Sequence, residues 1–288
     1  KSGLNEESEE ALKGLLKGSL IHDDIIDKDN FRRGNPAFHY RFQIYHDNYV
    51  LKKMCQTDFG NSIGIIGGDS TFFLGLEPFL INDFDRNLNL EAIKYYQQAF
   101  IDIADGVLIE TDMVNRKNLQ MNDYIEMVSL KTGALLEKSI LIGANYAGMG
   151  DKYNRTLSTL GINLGIIFQI TDDILGTFGD KEVTGKPIDG DIREGKYTCL
   201  LIEALDNLNE KKRNSLVKLI SNLKISDEEV EEVRELFMEA DVINTSKKLA
   251  TKYYQEAEEA LEKLTPIIND SEKEFFENLL KFVLERKF

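Results

Sequence analysis

The stretch "LIHDDIIDKDNFRRG", residues 20–34, puts Asp23, Asp24 and Asp27 close together and follows them with Arg32 and Arg33. On a helix, residues four apart share a face, so Asp23 and Asp27 point the same way with Asp24 beside them. Carboxylates this close raise one another's pKa and destabilise the helix unless something offsets the repulsion. A hard divalent cation does so. Magnesium takes carboxylate oxygens, keeps several waters and shares itself with substrate phosphates. The competing reading is a solvated acidic helix end. A calcium loop is excluded: counted from Asp27, its sixth and twelfth positions hold Arg32 and Phe38 instead of glycine and glutamate.

A second acidic cluster lies in "FQITDDILGTFGDKEVTGKPIDGDIREGK", which starts at Phe168. Gln169, Asp172, Asp173 and Gly176 fall at i, i+3, i+4 and i+7, one helical face. Residues 161–170 before it are nearly all apolar. After it comes a segment with Gly185, Lys186, Pro187, Gly190, Gly195 and Lys196. Two apolar helices ending in carboxylates, facing each other across a cavity, would ring its mouth with acid. Magnesium held there would recruit a diphosphate. Arg32, Arg33, Lys186 and Lys196 would contact its other oxygens through charge-assisted hydrogen bonds.

The elements that must position these residues are helices. Apolar periodicity predicts helices over 5–27, 61–80, 90–114, 122–146 and 151–175, with 61–80 buried. Residues 180–195 break the pattern and read as a mobile loop. Four or five amphipathic helices follow. No alternating run is long enough for a sheet, and no repeat of fixed period appears. The expected fold class is all-α, a single domain over 1–288, with the polar last 60 or so residues as an outer layer.

The totals narrow the function. The chain has 288 residues, 42% hydrophobic and 30% charged, with a net charge of -15. An acidic surface repels nucleic acid, so no nucleic-acid partner is expected. An anionic substrate would need a local basic patch or bridging cations. Cys55 and Cys199 form no zinc or disulfide pattern, which suits a reducing, cytoplasmic setting. No apolar run approaches the roughly 18 residues of a membrane span, so none is expected. The start at Lys1, without methionine, suggests a boundary that is not the natural one.

Together these motifs resemble the trans-isoprenyl diphosphate synthases, or polyprenyl synthetases. The resemblance rests on "DDIIDKDNFRRGNPAFH", on "KTGALLE" from Lys131 and on the second aspartate-rich motif with its following segment. It implies a single large helical bundle around a deep central cavity, of the isoprenoid synthase type, and a homodimer. It implies head-to-tail addition of isopentenyl diphosphate to an allylic diphosphate (dimethylallyl, geranyl or farnesyl) with three magnesium ions. By resemblance, Asp23 and Asp27 hold two ions with Asp24 in support, and Asp172 holds the third with Asp173 nearby. Arg32, Lys131 and Lys186 grip the allylic diphosphate, and Arg33 contacts isopentenyl diphosphate. Thr132, Gln169 and Lys196 surround the developing cation or its leaving group. Three departures stand out. Gly176 replaces a frequent last aspartate. The family's glycine-lysine-arginine segment, some forty residues before the first motif, is not present, and this N-terminal part is expected to be missing. "LIETDM" from Leu108 lacks the glycine and glutamine of the mid-chain element.

Product length should be set on the first helix. Gly18 and Ser19 sit five and four residues before Asp23, where an aromatic would stop growth near fifteen carbons. One helical turn rises about 5.4 Å, not far from one five-carbon unit. Leu15 or Leu16, a turn deeper, is therefore read as the floor, giving the twenty-carbon geranylgeranyl diphosphate or a longer product. A terpene cyclase would carry an asparagine-serine-glutamate motif in place of Asp172 and Asp173. A non-catalytic partner subunit would tend to lose aspartates. His39 is balanced between a structural and a substrate-contact reading, His22 is read as structural, and His46 as part of a surface or dimer contact. Met121, Met127, Phe72 and Phe73 are read as core.

Overall fold

The computed structural model describes residues 6–32, 34–116, 118–179, 189–222 and 224–286; in the first helix, side chains are described at 11 and from 13 onward. The chain packs as two compact units, Lys1–Phe100 with Ile142–Gly148, and Ile101–Leu141 with Met149–Phe288.

In the first unit, α1 (Glu6–Ile26) leads into a two-residue hairpin, β1 (Phe31–Arg32) and β2 (Asn35–Pro36), then α2 (Phe38–Tyr45). The strands pair antiparallel, Arg32 opposite Asn35, and Gly34 takes the left-handed turn position at φ 73. Next come α3 (Gln56–Leu74), α4 (Glu77–Ile81) and the first half of α5 (Arg86–Met113). α3 packs along α1 and α2. Its buried residues, Gly60, Gly64, Gly68 and Phe72, recur every four positions. This stripe is mostly glycine, so the neighbouring helices approach closely and the large apolar side chains fall on the other face.

The expectation of a buried helix over 61–80 is corrected for that reason. Ile65, Ile66, Phe73 and Leu74 of α3 are exposed, as are Leu80 and Ile81 of α4. Phe72 is core, but Phe73 is 75% exposed. The stretch Gln56–Ile81 is also long and apolar enough, by length and composition, to cross a membrane, which corrects the reading that no run comes near that length. The helix is interrupted at Gly75 and Leu76, between α3 and α4. His46, expected in a surface or dimer contact, is buried beside the rings of Phe59 and Tyr49.

The second unit is organised around α8 (Asn154–Phe178), whose buried face includes Leu160, Leu164, Ile167 and Ile170. The expected helix over 122–146 is α6 (Met121–Val128) and α7 (Ala134–Tyr146), joined by a π turn, Ser129–Gly133. α8 packs on this turn, and α13 (Val242–Leu264) and α14 (Asp270–Glu285) pack on α8. Residues 180–188 of the expected loop lie outside the described residues. Gly190–Glu194 is a short helix, α9, ended by Gly195 at φ 66, which corrects the loop reading there. Then follow α10 (Cys199–Asn207), α11 (Glu210–Ile220) and α12 (Asp227–Glu239). With α13 and α14 these make five among the described residues, within the anticipated four or five. Thr198, Asn209, Ser226 and Asn269 cap the starts of α10, α11, α12 and α14 with their side-chain oxygens.

One of the tightest approaches in this unit is glycine to glycine. A Cβ on Gly165 would lie 2.4 Å from the Gly133 Cα. Gly165→Ala should therefore destabilise the protein by about 1–3 kcal/mol through overpacking. Gly190→Ala, with nothing within 4 Å, should change stability little. Urea unfolding of both variants checks the contrast.

Candidate active site

The first acidic cluster ends α1. Arg32, on β1, folds back onto it. Its Nε donates to Asp24 Oδ1 at 2.7 Å, and its Nη2 reaches Asp24 Oδ1 at 2.6 Å and Asp23 Oδ2 at 3.2 Å. Burial works against the Arg32 charge, but the hydrogen bond and charge of Asp24, with Asp23 and Asp29, hold its pKa above the ordinary value. Asp24 is 3% exposed, whereas Asp23 and Asp27 remain partly exposed. Their neighbour in sequence thus anchors the arginine while two carboxylates one turn apart stay accessible. Arg33 lies outside the described residues.

His39 is buried, and burial lowers its pKa, which favours a neutral structural ring. The His22 ring lies tilted against Phe72, centroids 5.6 Å apart, and its Nε2 lies 3.1 Å from the Ile65 carbonyl. Phe72 also covers Gly18: a Cβ there would meet the ring at 3.0 Å. Leu15 is fully buried, Leu16 is 41% exposed, and the Ser19 hydroxyl donates to the Leu16 carbonyl.

In the second unit the π turn carries Lys131 and Thr132. A π turn holds one residue more than α geometry and is common at functional sites. Lys131 Nζ pairs with Glu110 Oε2 at 2.6 Å. The Thr132 hydroxyl donates to Gln169 Oε1 at 3.0 Å, and Gln169 Nε2 donates to Asp173 Oδ1 at 2.9 Å. Asp173 Oδ2 accepts from the Tyr124 hydroxyl at 2.8 Å and from the Cys199 N–H at 3.3 Å. Burial pushes the Asp173 carboxyl up to about 7, with Asp191 adding to the rise and the three hydrogen bonds opposing it.

The second acidic cluster is therefore split. Asp173 is buried on the Gln169 side of α8. Asp172 is exposed and pairs with Arg286, whose guanidinium lies 4.6 Å over the Phe168 ring. Gly176 sits near Asp191: a Cβ at 176 would lie 3.4 Å from the Asp191 Oδ2. Lys196 Nζ lies 3.0 Å from Glu194 and 4.0 Å from Asp191. Lys186 lies outside the described residues. Tyr124, Glu110, Arg286 and the covering ring of Phe72 were missed in the sequence. Tyr124 had one usable signal: it stands seven residues before Lys131, two turns back on the same helix.

Among the described residues no three His, Cys, Asp or Glu side chains converge to hold a metal. A closed protein cage does not fit. An ion that takes one or two carboxylates and completes its shell with water and substrate phosphate does fit Asp23 and Asp27. A cleft of about 530 Å³ on α13, lined by Lys247, Lys248 and Lys252, holds none of these residues.

The polyprenyl synthetase family model matches residues 5–238. The chain is 34% identical over 265 residues to a geranylgeranyl diphosphate synthase of Sulfolobus acidocaldarius, covering 88% of this chain and 72% of the relative. It is 32% identical to a geranylfarnesyl diphosphate synthase of Aeropyrum pernix, covering 93% and 78%. Its fold matches the polyprenyl synthase of Caulobacter crescentus solved with calcium and isoprenyl diphosphate, with TM-score 0.81, 26% identity, and 96% and 77% of the two chains covered. The chain belongs to the polyprenyl synthetase family. It is a prenyl-transferring enzyme with that family's all-α fold.

The Asp173 carboxyl gives a signed prediction. Its folded pKa is raised above the ordinary 3.8, so its contribution favours folding below that value and is lost as pH rises toward about 7. Melting temperatures should show wild type losing ground to Asp173→Asn across that window. A gap that does not change with pH would contradict it.

Proposed function

We propose that this chain adds isopentenyl diphosphate head to tail to an allylic diphosphate (dimethylallyl, geranyl or farnesyl), giving mainly geranylgeranyl diphosphate, with three magnesium ions. The observation that carries the reading is the end of α1, where Asp23 and Asp27 stay partly exposed one turn apart while Arg32 is held beside them. Names of the relatives support the substrate class, since two of them are geranylgeranyl and geranylfarnesyl diphosphate synthases.

Magnesium at Asp23 and Asp27, and at Asp172, would neutralise the charge that grows on the departing diphosphate. Arg32, Lys131 and Lys186 bind the oxygens of the allylic diphosphate. Arg32 then exchanges carboxylate partners for phosphate oxygens, which suit its planar fork. Arg33 contacts isopentenyl diphosphate. Gln169 Oε1, already accepting from Thr132, presents partial negative charge to the allylic cation, with Lys196 near the leaving group. The released diphosphate takes the last proton, so no histidine base is required.

A terpene cyclase is disfavoured by Asp172 and Asp173 standing where cyclases carry asparagine, serine and glutamate. A non-catalytic subunit is disfavoured because both aspartate clusters are present. The exposed Ile65, Ile66, Phe73 and Leu74 support a homodimer, because apolar side chains along one helix gain from a partner's cover. We place the enzyme in the cytoplasm, as an acidic chain with two thiols that are not paired as a disulfide.

The test is incubation with magnesium, radiolabelled isopentenyl diphosphate and each allylic primer, followed by sizing of the product. A twenty-carbon product is expected. A fifteen-carbon product alone overturns the length assignment, and no incorporation overturns the catalytic one. Asp27→Asn should lower kcat/KM by about 100-fold or more, roughly 3 kcal/mol. Ser19→Phe should shorten the product. Phe72→Ala should lengthen it, because the Phe72 ring closes over Gly18.

A further inference from the structure

Tyr124 on α6 is 1% exposed and reaches across 49 residues of sequence to Asp173 on α8. Asp173, 3% exposed, accepts from three donors: the Tyr124 hydroxyl and the Cys199 N–H at Oδ2, and the Gln169 amide nitrogen at Oδ1. A glutamine amide can turn end for end, exchanging an oxygen for an NH2 group. Here an acceptor on one side fixes which end goes where. The NH2 group faces Asp173, so the oxygen faces the Thr132 hydroxyl at 3.0 Å. Reversed, Gln169 would aim hydrogens, with their partial positive charge, at the side where Thr132 stands.

We propose that Tyr124 is a positioning residue: through Asp173 it holds the Gln169 amide with its oxygen toward Thr132. The proposal rests on the reading that Thr132 and Gln169 face the allylic cation. It assigns Asp173 the part of an anchor, with Asp172 alone of the pair turned outward. Tyr124 never touches substrate. Its hydroxyl, kept protonated by burial and by the Asp173 charge, acts two hydrogen bonds away from the reacting carbon.

The experiment is steady-state kinetics on the full chain with Tyr124→Phe, Asp173→Asn, the double variant and Gln169→Ala. Removal of the Tyr124 hydroxyl should lower kcat about tenfold. KM for both diphosphates and the magnesium half-saturation should stay within about twofold. Asparagine at 173 offers both an oxygen and an NH2 group, so it releases the amide to sit either way and should lower kcat similarly. Because both act on one link, the double variant should be no worse than Asp173→Asn alone. Asp173→Asn carries the test by itself if Tyr124→Phe does not accumulate as folded protein. Wild-type kcat in either single variant, with Gln169→Ala impaired, overturns the link. So do losses that multiply in the double variant, or a shifted magnesium half-saturation in place of a kcat effect. Wild-type turnover in Gln169→Ala overturns the underlying reading of the site, and the link with it.

Discussion

Much of the second unit depends on how close α8 comes to the π turn. Two glycines, Gly133 and Gly165, meet where a single methyl group would collide with backbone, and Gly161 lies as tightly against the Glu137 backbone. Helix axes ordinarily stay 8–10 Å apart because side chains stand between them. Removing the side chains at these contacts brings Thr132 within one hydrogen bond of Gln169. The polar chain from Thr132 to Tyr124 can close only at that spacing. The first unit uses the same device, with Gly60, Gly64 and Gly68 letting α3 settle against α1 and α2.

An acidic protein that handles acidic ligands must also keep its cations where they are needed. Here each described candidate cation is held by a carboxylate: Arg32 by Asp24 and Asp23, Lys131 by Glu110, Lys196 by Glu194. None of these pairs is fully exposed. Such pairs add little net stability when solvated, but they restrict long side chains to a small volume. The cations are thus pre-ordered, and a phosphate oxygen needs only to replace a carboxylate oxygen.

The helical class, most element boundaries and the helix-end aspartates were legible in the sequence, because apolar periodicity and i,i+4 spacing are local signals. The errors trace to information that is not local. Residues 61–80 read as buried because hydrophobicity alone does not reveal that the packed stripe of α3 is glycine. Asp172 and Asp173 read as a pair, yet adjacent helical residues diverge by about 100°, and long-range partners, Arg286 and Tyr124, decide which turns inward. His46 read as a surface or dimer contact among tyrosines, but Phe59 of α3 covers it. Tyr124 carried only its spacing from Lys131, and its partner is 49 residues away.

The π turn, Ser129–Gly133, bears on how this helix tolerates change. Shortening it by one residue would restore regular i→i−4 bonding throughout 121–146. The straightened helix would also rotate everything before the turn by about 100° relative to everything after it. Tyr124 and Val128 would leave the core, and Lys131 and Thr132 could not both keep their neighbours on α5 and α8. The locally better helix is therefore the globally worse protein. The surplus residue works as a phase shift that lets one rod serve two surfaces set at different angles.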